Sequence, residues 1–172
     1  MDLKESRLQR IRLLIEYDGT DFVGWQFQPN GRSVQGVIEK TLNHVFNRSV
    51  RVHGAGRTDA GVHATGQVAH FDLDTHLDAG TIARALNAEL PPDVSIRHAG
   101  SVDADFHARF SASSRAYVYR IAHQRIALER RTQWIVYPAL DHERILRAVQ
   151  HVRGTHDFTA FSKFVPGQSH QY

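Results

Sequence analysis

From Gly54 to His63 the chain reads Gly-Ala-Gly-Arg-Thr-Asp-Ala-Gly-Val-His, a run that sets a carboxylate beside a guanidinium on a glycine-rich segment. Three glycines between Gly54 and Gly61 give a backbone freedom that no regular element needs, so the segment is expected to hold an unusual loop shape. Arg57 is expected to favour the ionised form of Asp59, as an opposite charge does. An ionised, fixed carboxylate suits nucleophilic or general-base work at carbon. The same residue types also suit a turn aspartate bonding its own backbone, the common fate of Asp beside Gly. Gly54-x-Gly56 begins a dinucleotide-binding fingerprint, but Asp59 stands where the third glycine belongs and no helical pattern follows, which excludes that motif.

Other reactive groups are less organised. His53, His63 and His70 lie near one another in sequence, but their spacings fit no metal-ligand motif, and no metal is expected. Asp103 and Asp105 fall on one side of the chain if that stretch is extended, the minimum for a two-carboxylate hydrolase, with nothing else in support. Arg125, Arg130 and Arg131 flank a connection that reads as a solvated charged loop, and Lys163 receives no role.

The elements that must position these groups follow from periodicity. Ile11 to Tyr17 reads as a strand closed by Asp18-Gly19-Thr20. Ser33 caps a helix carrying Val34, Val37, Ile38, Leu42, Val45 and Phe46 on one face. Val50 to His53 reads as a brief strand, Gln67 to Leu73 as a longer alternating one, and Val94 to Val102 as another. Asp78 caps a helix with Ile82, Ala83, Leu86 and Leu90, ended by Pro91-Pro92. Ala116 to Ala122 alternates, with Tyr117, Tyr119 and Ile121 on one side. Asp141 opens a third helix, its Ile145, Leu146, Val149 and Val152 expected inward and Gly154 its stop. Helices packed on a sheet imply an α+β or α/β fold.

The chain has 172 residues, 41% hydrophobic and 23% charged, the balance of a globular protein. No apolar run is long enough to cross a bilayer, and Met1 to Arg10 does not read as a secretory signal. Cysteine is absent, which excludes disulfides and thiolate chemistry within these residues and suits a cytoplasmic setting. A net charge of +3 and 12 histidines permit a polyanionic partner without demanding one.

Six further blocks join the loop. Gly56 to Ala64 resembles the signature of the tRNA pseudouridine synthase A family. Tyr17-Asp18-Gly19-Thr20 with Gly24-Trp25-Gln26, Ser33 to Gly36, and Gly66-Gln67-Val68 with Phe71 are similar to its blocks in the same order. So are Phe106 to Ala112, Tyr117 to Ile121, and Gly154 with His156-Asp157-Phe158. The resemblance implies the pseudouridine synthase fold: an α+β architecture with an antiparallel or mixed sheet and helices packed on one face. It implies an N-terminal subdomain over 1–104 and the start of a second over 105–172, joined between Ser101 and Arg115. The family's chains run further and supply an arginine to pair with the aspartate. Nothing from Phe158 to Tyr172 matches that motif, so the second half is expected to be incomplete.

The resemblance also implies the chemistry. Uridine in the anticodon stem-loop of tRNA is isomerised to pseudouridine, with Asp59 as the catalytic carboxylate. No redox change or hydrolysis occurs, so no cofactor is required. Asp59 attacks the anomeric carbon or removes a neighbouring ribose proton, and both routes stay open. The target must be extruded from its stack. Tyr117 matches the family's active-site tyrosine and is expected to stack on the uracil. Arg57 is assigned to phosphate or to positioning, and His107 and Arg109 to the RNA cleft, with a hydrogen-bonding structural role equally open for His107. A homodimer is expected. The alternative is a catalytically inactive RNA-binding module that keeps the fold.

Overall fold

The computed structural model describes residues 7–161. The chain divides into two compact units, Met1–Val118 and Tyr119–Tyr172.

The first unit is built on β1 (Arg7–Tyr17), whose alternating burial marks Ile11, Leu13, Ile15 and Tyr17 as one inward row. Helix α1 (Val34–Phe46) follows, then β2 (His53–Gly54), β3 (Ala64–Thr75), helix α2 (Ala79–Glu89) and β4 (Val94–Val102). The strands form one antiparallel sheet in the order β2-β3-β1-β4. Ile11 faces Phe71 and Leu13 faces Ala69 in register, so the inward rows of β1 and β3 form one apolar surface. Val34, Ile38 and Leu42 of α1 and Ile82 and Leu86 of α2 bury against it. Full burial of such a side chain contributes about 1.5–3 kcal/mol, so this shared surface is the main source of the unit's stability. Ser33 and Asp78 cap the two helices by accepting from Gly36 N and Thr81 N, as their sequence positions predict.

The opposite face of the sheet carries Arg10, Arg12, His70 and Asp72, and residues 104–110 cover part of it. Arg10 grips Asp72 with two hydrogen bonds of 2.7 and 2.8 Å, and its Nη1 donates to the carbonyls of Ala104 and, at 3.0 Å, Phe106. Ala108 N donates to His70 Nδ1 at 3.2 Å. Residues 105–118, expected to open a second subdomain, therefore fall in the first unit, tied there by Arg10, His70 and Arg115.

Both outer strand pairings of β1 shift register near its end, between Leu14 and Ile15 against β4 and between Ile15 and Tyr17 against β3. Such irregularities re-aim side chains at strand ends. Tyr17 sits just beyond them.

The second unit contains β5 (Ile121–Ala122) paired in parallel with β6 (Trp134–Ile135), helix α3 (His142–Gln150) and a 3₁₀ turn, Thr159–Phe161. Two expectations are corrected here. The alternating stretch from Ala116 is strand only at Ile121–Ala122, and Tyr117, Val118 and Tyr119 are 69%, 81% and 84% exposed. Alternation specifies a strand only where a neighbour takes up the backbone bonds and covers one face; Arg120 O accepts from Trp134 N at 2.8 Å, but residues 112–119 have no such neighbour among the described residues. Helix α3 forms with Asp141 as its cap, but it ends at Gln150, before Val152, and none of its side chains is buried; Ile145, Leu146, Val149 and the exposed Val152 do not point into a core among the described residues. Lys163 lies outside the described residues. No helix among them is long and apolar enough to cross a membrane.

Candidate active site

Asp59 follows β2 on a loop whose shape is set from outside. The strap 18–32, between β1 and α1, runs along that loop and holds it by its backbone. Trp25 N donates to Thr58 O at 3.0 Å, and Gly61 N donates to Phe22 O at 3.2 Å. Gly24 has φ +112, and a Cβ on it would lie 2.6 Å from Thr58 O, so only glycine permits this approach. On its other side the strap serves α1. The carbonyls of Gly24 and Trp25 accept from Val34 N and Gln35 N, two amides that a helix leaves without internal partners. The Asp59 loop is thereby referenced to α1 and, through α1, to the core.

Three side chains complete the hold. The Tyr17 hydroxyl lies 2.8 Å from Thr58 Oγ1, and the Tyr17 ring is 3% exposed. Burial pushes the Tyr17 phenol above its ordinary pKa, with the Thr58 hydrogen bond opposing, so this contact stays neutral. Gln67 Nε2 donates to Gly56 O at 2.5 Å. Arg115 Nη2 donates to Ala55 O at 2.8 Å and to Arg109 O at 3.3 Å, which links residues 109–115 to the loop.

Asp59 itself is exposed. Among the described residues, no side chain bonds or pairs with its carboxylate, and its backbone carbonyl accepts from Val62 N at 3.2 Å. The turn is thus closed by backbone, and the side chain is not spent as a tether. Beside it lies an open depression of ≈ 360 Å³, lined by Gln26, Phe27, Gln28, Arg57, Thr58 and Asp59 among others. Arg57 and Asp59 share this depression but form no ion pair with each other. A loop-borne carboxylate that is free of partners and held by rigid neighbours can approach an electrophilic carbon or a C–H proton without first breaking bonds.

The remaining predicted residues lie elsewhere in the same unit. Tyr117 does not line the depression. His107 packs against His70 with ring centroids 4.7 Å apart and against Phe110 at 4.4 Å, and its Nδ1 accepts from Arg109 N at 3.2 Å. The Arg109 guanidinium sits 5.7 Å from the Phe110 centroid. His53 stacks on His70 at 5.0 Å, so the neighbouring histidines are His53, His70 and His107, with His63 instead 3.1 Å from Asp18. No group of three or more such ligands among the described residues could hold a metal ion. Asp103 and Asp105 border a separate depression, but on a turn after β4 rather than along a strand.

Sequence reasoning assigned no role to Tyr17, Phe27, Gln35 or Arg115. Gln35 carried one signal: a polar side chain directly after Val34, where the apolar face of α1 begins.

A tRNA pseudouridine synthase family profile matches residues 13–111, more than half of the chain. The chain is 53% identical over 159 residues to a tRNA pseudouridine synthase A of Sinorhizobium medicae, covering 90% of this chain and 64% of that protein. It is 50% identical to the tRNA pseudouridine synthase A of Paramagnetospirillum magneticum, over 90% of this chain and 61% of that one. For the tRNA pseudouridine synthase A of Bacteroides thetaiotaomicron the values are 46%, 91% and 58%. The chain thus spans roughly three-fifths of the length of the curated relatives it matches. With this profile lying across the sheet, the strap and the Asp59 loop, the chain belongs to the tRNA pseudouridine synthase family.

Proposed function

We propose that this chain carries the catalytic loop of an isomerase that converts uridine to pseudouridine in the anticodon stem-loop of tRNA, with Asp59 as the reacting carboxylate. The observation that supports this most is the exposed Asp59 side chain, without a partner among the described residues, on a loop fixed by the strap and by Tyr17. The glycosidic C1′–N1 bond breaks, the uracil rotates, a C1′–C5 bond forms, the C5 proton leaves to solvent and N1 takes up a proton, so that atoms and charge balance. Asp59 enters by attack on C1′ or by removal of the adjacent ribose proton, and its open surroundings accommodate both. The reaction neither gains nor loses electrons and requires no cofactor.

In the same proposal, Tyr117 stacks on the extruded uracil and assists departure of the C5 proton, with its exposure leaving the ring available. Arg57, beside Asp59 in the depression, holds a phosphate. Arg109, exposed, meets the RNA backbone, while His107 supports the segment that presents it. A homodimer and a cytoplasmic location belong to the proposal, and the molar mass in solution tests the first.

The test is incubation with tRNA carrying tritium at uridine C5. Release of tritium into water, lost in Asp59→Ala but kept in a remote surface variant such as Arg84→Ala, is the expected result. Salt-dependent tRNA binding without release favours the inactive RNA-binding module. Absence of salt-dependent binding overturns the RNA reading.

A further inference from the structure

Phe27 borders the same depression as Asp59 with 51% of its surface exposed, although it is a large apolar residue. It is not a loose loop side chain. Its backbone amide donates to Gln35 Oε1 at 2.9 Å. Gln35 is 4% exposed and passes the hold inward, its Nε2 donating to Val52 O at 3.0 Å and to Glu39 Oε1 at 2.9 Å. The ring rests on α1 where the helix has no side chain: a Cβ on Gly36 would lie 3.1 Å from Phe27 Cδ2. A buried amide thus fixes the backbone of Phe27, a bare helix position seats one edge of its ring, and the rest faces the depression. Gln26, Gln28 and Arg57 line the same space. An exposed aromatic face beside amides and a guanidinium is the chemistry that takes unpaired nucleobases, with stacking for the ring and hydrogen bonds for base edges and phosphate.

We propose that Phe27 is a stacking platform for an unpaired nucleobase flanking the uridine that Asp59 acts on. The inference rests on the reading of Asp59 given above. Extruding one nucleotide from a loop also unstacks its neighbours, and a ring held in advance beside the carboxylate receives one of them at little ordering cost. Stacking tolerates any base, so the platform accepts loops of differing sequence. Tyr117 does not line the depression and serves the target base, which gives the two aromatic residues separable signatures.

The test measures binding of the full chain to fluorescently labelled anticodon stem-loop RNA by anisotropy. One RNA is intact, and two others carry an abasic ribose immediately 5′ or 3′ of the target uridine. Wild type is expected to bind one of the abasic RNAs about 5- to 150-fold more weakly than the intact one. Phe27→Leu binds the intact RNA as weakly as that abasic RNA, Phe27→Trp restores the difference, and Asp59→Ala keeps it. Equal wild-type affinity for all three RNAs overturns the proposal, as does an undiminished difference in Phe27→Leu. Both results leave the Asp59 reading standing. Failure of the chain to bind any of the RNAs removes that reading and this inference together.

Discussion

The hydroxyl of Tyr17, the last residue of β1, lies 2.8 Å from Oγ1 of Thr58, the residue directly before Asp59. The bond joins the central strand of the sheet to the candidate catalytic loop, and the buried tyrosine ring keeps water from competing for it. Tyr17→Phe keeps the ring and removes the bond. A neutral hydrogen bond of this kind contributes about 0.5–1.5 kcal/mol, and denaturant unfolding should show a loss in that range. Tritium release from tRNA should show a lower kcat with little change in KM, because the variant loosens the carboxylate and leaves RNA contacts in place.

Gly24 and Gly61 both have positive φ, +112 and +78, but only Gly24 is crowded: a Cβ there meets Thr58 O at 2.6 Å, and one on Gly61 meets nothing within 4 Å. Gly61→Ala should therefore cost about 1–2 kcal/mol, the strain of the left-handed backbone alone. Gly24→Ala should cost more, about 3 kcal/mol or above, since it also forces the strap from the loop. Paired denaturant melts check the order. Equal losses would mean that the strap yields freely.

Gln35 joins the amide of Phe27 to the carbonyl of Val52 from within the core. Gln35→Leu fits the apolar face of α1 but leaves both backbone groups without this partner. Leaving the buried Val52 carbonyl unpaired costs about 1–3 kcal/mol and the half-buried Phe27 amide less, so thermal unfolding should reveal a loss of about 1–3 kcal/mol despite the gain in hydrophobicity.

His70 gives the first unit a pH dependence of defined sign. Burial, then the nearby His107, His53 and Arg10, lower its pKa to about 4, with Asp72 opposing. Its Nδ1 accepts the Ala108 amide, so the folded unit holds the ring neutral. In the unfolded chain the ring takes a proton near pH 6.5. Stability from His70 is therefore fully present above about pH 6.5 and is lost as pH falls toward 4, by on the order of 2 kcal/mol. Unfolding followed from pH 7.5 to 4.5 should show this slope, and His70→Gln, which retains an acceptor for Ala108, should flatten it.

Much of the first unit was legible in the sequence because its signals are local. The alternation of Ile11, Leu13 and Ile15 and the caps Ser33 and Asp78 each act within a few residues, and each element formed where they stand. The loop around Asp59 was legible as a shape, from its glycines. Its fixation was not: the contacts that hold it come from Tyr17, Phe22, Trp25, Gln67 and Arg115, at sequence separations that no periodicity encodes. The same reason hid Phe27, whose exposure is set by Gln35 and Gly36 on a different element. At Tyr117 and on α3, amphipathic patterns state a preference for burial, and among the described residues nothing meets it.

The central claim is that the Asp59 carboxylate itself reacts, and single-turnover formation of pseudouridine in tRNA by Asp59→Asn tests it most directly. Asparagine keeps the shape and size of the side chain and removes its charge and nucleophilicity. The rate is predicted to fall by roughly 10⁴-fold or more, with tRNA affinity and unfolding midpoint unchanged. Pseudouridine forming in Asp59→Asn within tenfold of the wild-type rate would contradict the account.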